Sequence, residues 1–173
     1  MTEPDPLQIF ALDDYPPSLR TIQQEYWVQE APISFSFGVS NDNDIADIDS
    51  TSWDAMFVRW MRPTVHDVCL VVCERRDNDE DAEALIDRAL QRVGRQPKGE
   101  MQKIVVETLN ASRIVISVQF LPALLDDQDH LAWDAIGSIV SSLATLANGI
   151  IYVEGEGFYD DAMAPLVTLT EEE

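Results

Sequence analysis

A continuous apolar run over residues 68–73 restricts the possible folds of this chain more than any other feature. The run is rich in β-branched residues and has no polar position, so it predicts a strand that is buried on both faces. From residue 77 onward the apolar residues recur at spacings of three and four, which predicts an amphipathic helix ending at Gly94. A central strand and the helix after it are therefore the first two elements of the expected core.

The segments that follow predict a hairpin, a second helix and a short strand. Residues 103–109 and 113–120 alternate with period two and are joined by three residues, which is typical of two antiparallel strands. An apolar stripe over residues 131–147 predicts a helix, with Asn148 and Gly149 as its left-handed stop. Residues 150–153 predict the last strand.

The resulting order of strand, helix, strand, strand, helix, strand predicts the α+β class. It matches the split βαβ (βαββαβ) arrangement of ferredoxin-like domains, in which two helices cover one face of a four-stranded antiparallel sheet. This core is expected at about residues 65–153. The segments 68–73 and 113–120 are its more apolar strands and are expected at the centre, with 103–109 and 150–153 at the edges.

The first 60 residues predict an α/β extension of this core. They contain nine of the fourteen aromatic residues of the chain. A helix over 18–30 and strands over 33–39 and 55–60 are expected, separated by a polar loop over 40–52. The extension is expected to pack on the sheet or to extend it. The chain is then one domain, with an extension (1–63), a core (64–161) and a C-terminal tail (162–173).

The two cysteines, Cys69 and Cys73, are expected to be reduced core residues. On one strand they would lie roughly 13 Å apart, too far to form a disulfide with each other. The only histidines are His66 and His130, and neither stands at the spacing of a zinc site. No metal or cofactor is expected.

Nearly all of the net charge of -21 comes from the two ends of the chain. Ten of the eleven Lys and Arg residues lie between Arg59 and Arg113, where ten acidic residues balance them. Residues 1–58 and 114–173 each carry eleven acidic residues, against Arg20 alone in the first segment. This charge argues against binding to nucleic acid or to an anionic membrane, and it favours a basic protein partner. Without a signal-like N-terminus or a bilayer-length apolar stretch, the expected location is cytoplasmic.

The most unusual local sequence is residues 152–161, YVEGEGFYDD. Two glycines permit sharp turns directly after a strand, and aromatic rings stand among carboxylates there. Such a pattern suits recognition of Arg or Lys through cation–π contacts and charge-assisted hydrogen bonds. The candidate partner-binding residues are Glu154, Glu156, Phe158, Tyr159, Asp160 and Asp161. The alternative is that the aromatic rings pack under the loop and the acids are only solvated.

A second candidate group lies in the polar loop of the extension. It comprises Asp42, Asp44, Asp47 and Asp49, with Trp53 as a possible aromatic anchor. The spacing fails as an EF-hand, because Asp47 stands where a glycine is required and Trp53 where the closing glutamate should be. Solvated turn residues are the alternative to a binding role.

These observations favour a binding protein over an enzyme. There is no phosphate-binding, zinc-protease or serine-hydrolase motif, so no catalytic residue is assigned. The leading hypothesis is an acidic inhibitor, most concretely an immunity-type protein that neutralises a toxin or enzyme with a basic active site. Three alternatives remain open: a nucleic-acid mimic that blocks a DNA-binding or DNA-cutting protein, a small-ligand domain or enzyme that uses Glu154, Glu156 or Asp160, and a structural subunit of a larger assembly.

Overall fold

An eight-stranded antiparallel sheet organises the fold in the computed structural model, which describes residues 7–25, 32–36, 49–51, 53–61, 65–77, 80–125 and 131–169. Its strands are β1 Leu7–Ala11, β2 Ile33–Ser36, β3 Ala55–Trp60, β4 His66–Arg75, β5 Ile114–Phe120, β6 Gly149–Val153, β7 Gly157–Tyr159 and β8 Pro165–Thr168. The helices are α1 Leu19–Gln23, α2 Glu80–Gly94, α3 Glu100–Ala111, α4 Pro122–Leu125 and α5 Leu131–Ala147. None of the helices in these ranges is long and apolar enough to cross a bilayer.

The strands follow the spatial order β2-β3-β4-β5-β1-β6-β7-β8. Strand β1 lies near the middle, and its Ile9 pairs with Ile116 of β5 on one side and Ile151 of β6 on the other. The segment LQIFA of β1 is buried along its whole length, because it has a neighbouring strand on each edge and helices over both faces. The first strand of the chain thus belongs to the centre of the sheet, while β2 and β3 extend one side of it.

Helices cover both faces of the sheet. Alternate residues of a strand point to opposite faces, and in β1 Ile9 packs in one core cluster with α5, whereas Phe10 packs in the other with α2 and α3. The α+β class is confirmed. The ferredoxin-like split βαβ arrangement is not confirmed, because it would place two helices on the same face of a four-stranded sheet.

The largest error of the sequence prediction concerns residues 103–109. They belong to helix α3 and not to a strand, so the expected hairpin with β5 does not form. Val105 and Leu109, one helical turn apart, are fully buried against α2 and the sheet, whereas Ile104 remains 46% exposed. The run Ile104-Val105-Val106 fits either periodicity, and packing of the α2–α3 pair selects the helix.

Other predicted elements are confirmed in the described residues. Strands β3, β4 and β5 lie where the sequence placed them, and β4 and β5 are interior strands. Ser18 caps α1 by accepting a hydrogen bond from the Thr21 amide, although residues 26–30 of the expected longer helix lie outside the described part. Cys69 and Cys73 are free and buried, and burial raises the pKa of each thiol to about 12.

The C-terminal end of α5 directs the chain into the candidate site. Asn148 adopts the predicted left-handed conformation, with φ of 57°, and ends the helix. Gly149 does not share it; it begins β6, where a side chain would collide with Ile9 and the Phe10 carbonyl. Strand β6 is interior and is followed by β7 and β8, so the expectations of an edge strand and of a tail after residue 161 were wrong here.

Candidate protein-binding surface

Two glycines shape the turn between β6 and β7. Gly155 has φ of 81° and Gly157 has φ of 152°, conformations that other residues rarely adopt. A Cβ atom on Gly157 would also lie against the Val167 carbonyl of β8. Glu154 and Glu156 flank Gly155 in this turn, and their side chains have different surroundings.

Glu154 is directed back toward helix α2. Its Oε1 atom lies 3.2 Å from Arg92 Nη2 and 3.7 Å from Arg88 Nη2, and its side chain is only 19% exposed. Two guanidinium groups thus compensate a single carboxylate. Glu154 joins the β6–β7 turn to α2, and its charge is not available to a partner.

Two aromatic rings stack beneath the same turn. Phe158 is fully buried and stacks on Tyr152 with ring centroids 4.6 Å apart. The Tyr152 hydroxyl is buried near Glu154 without a hydrogen bond of normal geometry, and burial, followed by the nearby carboxylate, raises the pKa of this phenol. Phe158, a predicted partner-binding residue, therefore belongs to the core in this structure, as the alternative proposed.

Glu156 and Tyr159 lie together on the outer side of the turn. Glu156 is exposed, Tyr159 is half-buried, and the Tyr159 hydroxyl donates to Glu156 Oε2 over 3.4 Å. Partial burial, and then the adjacent carboxylate, raise the pKa of Tyr159. A neutral phenol ring beside a carboxylate is a suitable pair of groups for a Lys or Arg side chain.

Asp160 shapes the loop between β7 and β8. Its Oδ1 atom accepts hydrogen bonds from the backbone amides of Ala162 and Ala164, at 2.9 and 2.8 Å. Its own amide donates to the Ala164 carbonyl. The side chain therefore has a fixed position, while Oδ2 has no hydrogen bond to a described residue.

Asp161 is attached to helix α5. The Thr145 hydroxyl donates to Asp161 Oδ2 over 3.0 Å, and the Ser141 hydroxyl donates to the Asp161 carbonyl. Sequence reasoning missed Ser141 and Thr145, although Ser138, Ser141 and Thr145 recur at spacings of three and four on a largely apolar helix. This stripe of hydroxyl side chains was the feature of the sequence that could have identified them.

Glu156, Tyr159, Asp160 and Asp161 together form what we term the C-terminal acidic surface. None of the three carboxylates makes an ion pair with any residue that the structure describes. The absence of Lys and Arg after Arg113 agrees with this, since a base would have to come from a distant part of the chain.

The second predicted group is not assembled in the same way. Asp49 pairs with Arg20 of α1 at 2.5 Å, and this hydrogen bond lowers the pKa of the carboxyl group. Trp53 is only 6% exposed and donates to the Pro17 carbonyl over 2.8 Å, so it is a core residue. Asp42, Asp44 and Asp47 lie outside the described residues.

The described acids of the two chain ends form separate groups. Ala11 pairs with Gly149 and Leu7 with Val153, so Asp13 and Asp14, which follow β1, lie at the opposite end of β6 from Glu154 and Glu156. Along a five-residue strand this separation is roughly 13 Å. Asp14 is in addition paired with Arg113 at 3.1 Å. A single patch of N- and C-terminal acids is therefore not formed by these residues.

Two clefts lined by described residues lie away from the C-terminal acidic surface. A polar cleft of about 280 Å³ lies between Asp14, Tyr15, Arg76, Asp77 and Arg113. A second, of about 320 Å³, separates β8 from the beginning of α3. Glu154, Glu156 and Asp160 line neither of them. Within the same ranges, no group of three or more His, Cys, Asp or Glu residues is arranged to hold a metal ion.

Comparison of the chain with models of known families, with curated proteins and with solved structures gave no match.

Proposed function

We propose that this protein binds a basic protein partner through the C-terminal acidic surface and inhibits the partner by doing so. The most specific form of the proposal is an immunity-type inhibitor that covers the basic active site of a toxin or enzyme. The observation that carries it is the group of three uncompensated carboxylates, Glu156, Asp160 and Asp161, around the half-buried Tyr159.

The positions of these carboxylates favour binding. Hydrogen bonds from two backbone amides fix Asp160, and the Thr145 hydroxyl holds Asp161. Groups that are already ordered lose less conformational entropy when a partner docks. The charge of the chain adds long-range attraction, which raises association rates and decreases with ionic strength.

The two main alternatives receive less support from the described residues. A nucleic-acid mimic needs carboxylates at regular, phosphate-like spacing, but Glu154 is neutralised by two arginines and Asp14 is paired with Arg113. An enzyme that uses Glu154, Glu156 or Asp160 needs one of them in a desolvated pocket. Instead, Glu154 lies beside two arginines, Glu156 lies in an exposed turn, and Asp160 accepts hydrogen bonds from the amides of its own loop.

A capture experiment with matched variants tests the proposal. Glu156→Gln combined with Asp160→Asn removes two charges while retaining the oxygen atoms that accept the local hydrogen bonds. Asp54→Asn combined with Asp87→Asn removes two charges from exposed positions elsewhere, with Asp54 roughly 24 Å away, five inter-strand spacings from β7. Each protein is immobilised, and partners from the native host are retained at low salt and identified.

The expected result is retention by the wild type and by the Asp54/Asp87 variant, and loss of retention by the Glu156/Asp160 variant. For an identified partner, the association rate should fall about tenfold between low and physiological ionic strength. Equal retention by both double variants, or an association rate independent of salt, would contradict the proposal.

A further inference from the structure

The second half of α2 and the beginning of α3 form the most basic part of the chain. Residues 88–103 contain five of the eleven Lys and Arg residues and a single acid, Glu100. Arg88 and Arg92 share the Glu154 carboxylate, which compensates part of their charge. The three bases that follow are exposed, and we term them the α2–α3 basic group: Arg95, Lys98 and Lys103.

The described acids compensate this basic group only weakly. Lys98 makes no ion pair with any residue that the structure describes. Lys103 contacts Glu107 at 3.9 Å, and the two side chains are 75% and 66% exposed. Ion pairs of this kind contribute little, because water screens them. The group therefore presents an excess of positive charge on a chain whose net charge is -21.

The cleft between β8 and α3 lies beside the basic group. Gln96, Pro97 and Gly99 line one side of it, and they are the chain neighbours of Arg95 and Lys98. The other side is formed by the end of β8, residues 166–168. A volume of about 320 Å³ gives room for several side chains. A segment that entered this cleft would come within reach of the bases.

The chain leaves β8 at the edge of the same cleft. The Leu169 amide donates to the Glu156 carbonyl over 2.9 Å, and the Leu169 side chain packs on the core cluster of α2 and α3. Residues 170–173, with the sequence Thr-Glu-Glu-Glu, follow directly. In an extended conformation these four residues span roughly 13 Å. This length suffices to reach the connection between α2 and α3, since Thr168 already lines the cleft with Gln96.

Charge and attachment distinguish among the possible occupants of the cleft. A basic segment would be repelled by the α2–α3 basic group. A second copy of the chain carries the same net charge of -21, which opposes association. A short acidic segment that is covalently attached at the edge of the cleft has an effective concentration in the millimolar range, without the cost of bringing two molecules together.

We infer that residues 170–173 dock in the cleft between β8 and α3, with their three glutamates against the α2–α3 basic group. The docked segment compensates these bases and covers the beginning of α3, where Met101 is 52% exposed. The inference goes beyond the proposed function and does not depend on it, because both sets of charges belong to this chain.

Backbone ¹⁵N relaxation of the full-length protein tests the inference through the order parameters of the Glu171 and Glu172 amides. Arg95→Gln combined with Lys98→Gln removes two bases beside the cleft. Arg20→Gln combined with Arg113→Gln is the matched control, because it removes two exposed bases elsewhere. Arg113 precedes β5 at the end of the sheet opposite to the β6–β7 turn.

The wild type should give order parameters above about 0.7 for these two amides at low salt, and below about 0.6 in about 0.5 M NaCl. The Arg95/Lys98 variant should give values below about 0.6 already at low salt, because the remaining attraction is too weak to hold the segment. The Arg20/Arg113 variant should match the wild type. Unchanged chemical shifts of the core amides verify that each variant is folded.

A reciprocal variant removes the charges of the segment itself. Glu171→Gln combined with Glu172→Gln and Glu173→Gln should lower the order parameters of residues 171 and 172 at low salt to the values of the Arg95/Lys98 variant. It should also shift the amides of residues 95–103, and the added salt should then cause little further change.

Several outcomes would overturn the inference. They are order parameters below about 0.6 in the wild type at low salt, equal losses in the two double base variants, and order that persists at high salt. A dimer in sedimentation velocity that the Arg95/Lys98 variant converts to a monomer would identify a second copy as the occupant instead. None of these outcomes affects the capture experiment with the Glu156/Asp160 variant, so the inference and the proposed function fail separately.

Discussion

Glu154 and Glu156 are separated by a single glycine, yet they belong to two different electrostatic regions. The Glu154 side chain lies between Arg88 and Arg92 and is 19% exposed, whereas Glu156 is exposed and its carboxylate accepts a hydrogen bond from the Tyr159 hydroxyl over 3.4 Å. The first carboxylate stabilises the attachment of the turn to α2, and the second adds to the field around the C-terminal acidic surface. A run of acids in a sequence therefore shows where the charges are, but not which of them the fold compensates.

The aromatic residues beside these carboxylates differ in the same way, and their replacement should produce the largest effect. Phe158 is fully buried between Tyr152 and the α2–α3 side of the core. Phe158→Ala should lower the free energy of unfolding by about 3–5 kcal/mol, because a large cavity forms. Tyr159→Ala, at the neighbouring half-buried position, should lower it by only about 1 kcal/mol.

Urea denaturation of both variants provides the measurement. If the two substitutions reduced stability equally, the division of this hairpin into a core side and a binding side would be wrong. If Tyr159→Ala retained stability but lost the partner, the division would be sharpened, because Tyr159 would then act in binding alone.

Much of the fold could be predicted from local pattern alone. The main error of that prediction arose where tertiary packing decides the secondary structure. The β4 run and the α5 stripe each indicate their own structure, because a continuous apolar run is typical of an interior strand and an apolar stripe of a helix packed on a sheet. The expected burial of the run on both faces is incomplete, since Leu70 and Val72 are only partly buried. Residues 103–109 do not indicate their structure, because Val105 and Leu109 acquire their inward direction only from packing against α2 and the sheet. Strand β1 was not predicted from the sequence.

The site was predictable to a similar degree. The sequence located the two turn glycines and the surrounding acids, since both signals lie within ten residues. It could not show that Glu154 is neutralised, because Arg88 and Arg92 come from a helix more than sixty residues earlier in the chain. It also placed Trp53 among the anchors, whereas contact with Pro17 buries this ring.

A pair of conservative substitutions compares the two electrostatic regions directly. Glu154→Gln removes the charge that Arg88 and Arg92 share, and should lower the free energy of unfolding by about 1 kcal/mol, near the upper end for partly exposed ion pairs. Glu156→Gln should leave it unchanged within the accuracy of urea denaturation. A measurable loss in Glu156→Gln would show that this carboxylate also stabilises the fold, and the distinction between the two regions would fail.

The smallest expected effect is the pH dependence of one compensated carboxylate, Glu83. Arg76 donates to both oxygens of Glu83, at 2.6 and 3.0 Å, and this hydrogen bonding lowers the pKa of the carboxyl group from its ordinary value of 4.5. A carboxyl group with a lowered folded-state pKa stabilises the protein above its unfolded-state pKa, and this stabilisation is lost as the pH falls through the folded-state value.

Wild-type protein should therefore be more stable than Glu83→Gln at pH 7, and the difference should shrink below pH 4.5. Urea denaturation of both proteins at a series of pH values provides the measurement. A difference for Glu83→Gln that stayed constant with pH would mean that Arg76 does not favour the charged carboxylate in the folded state.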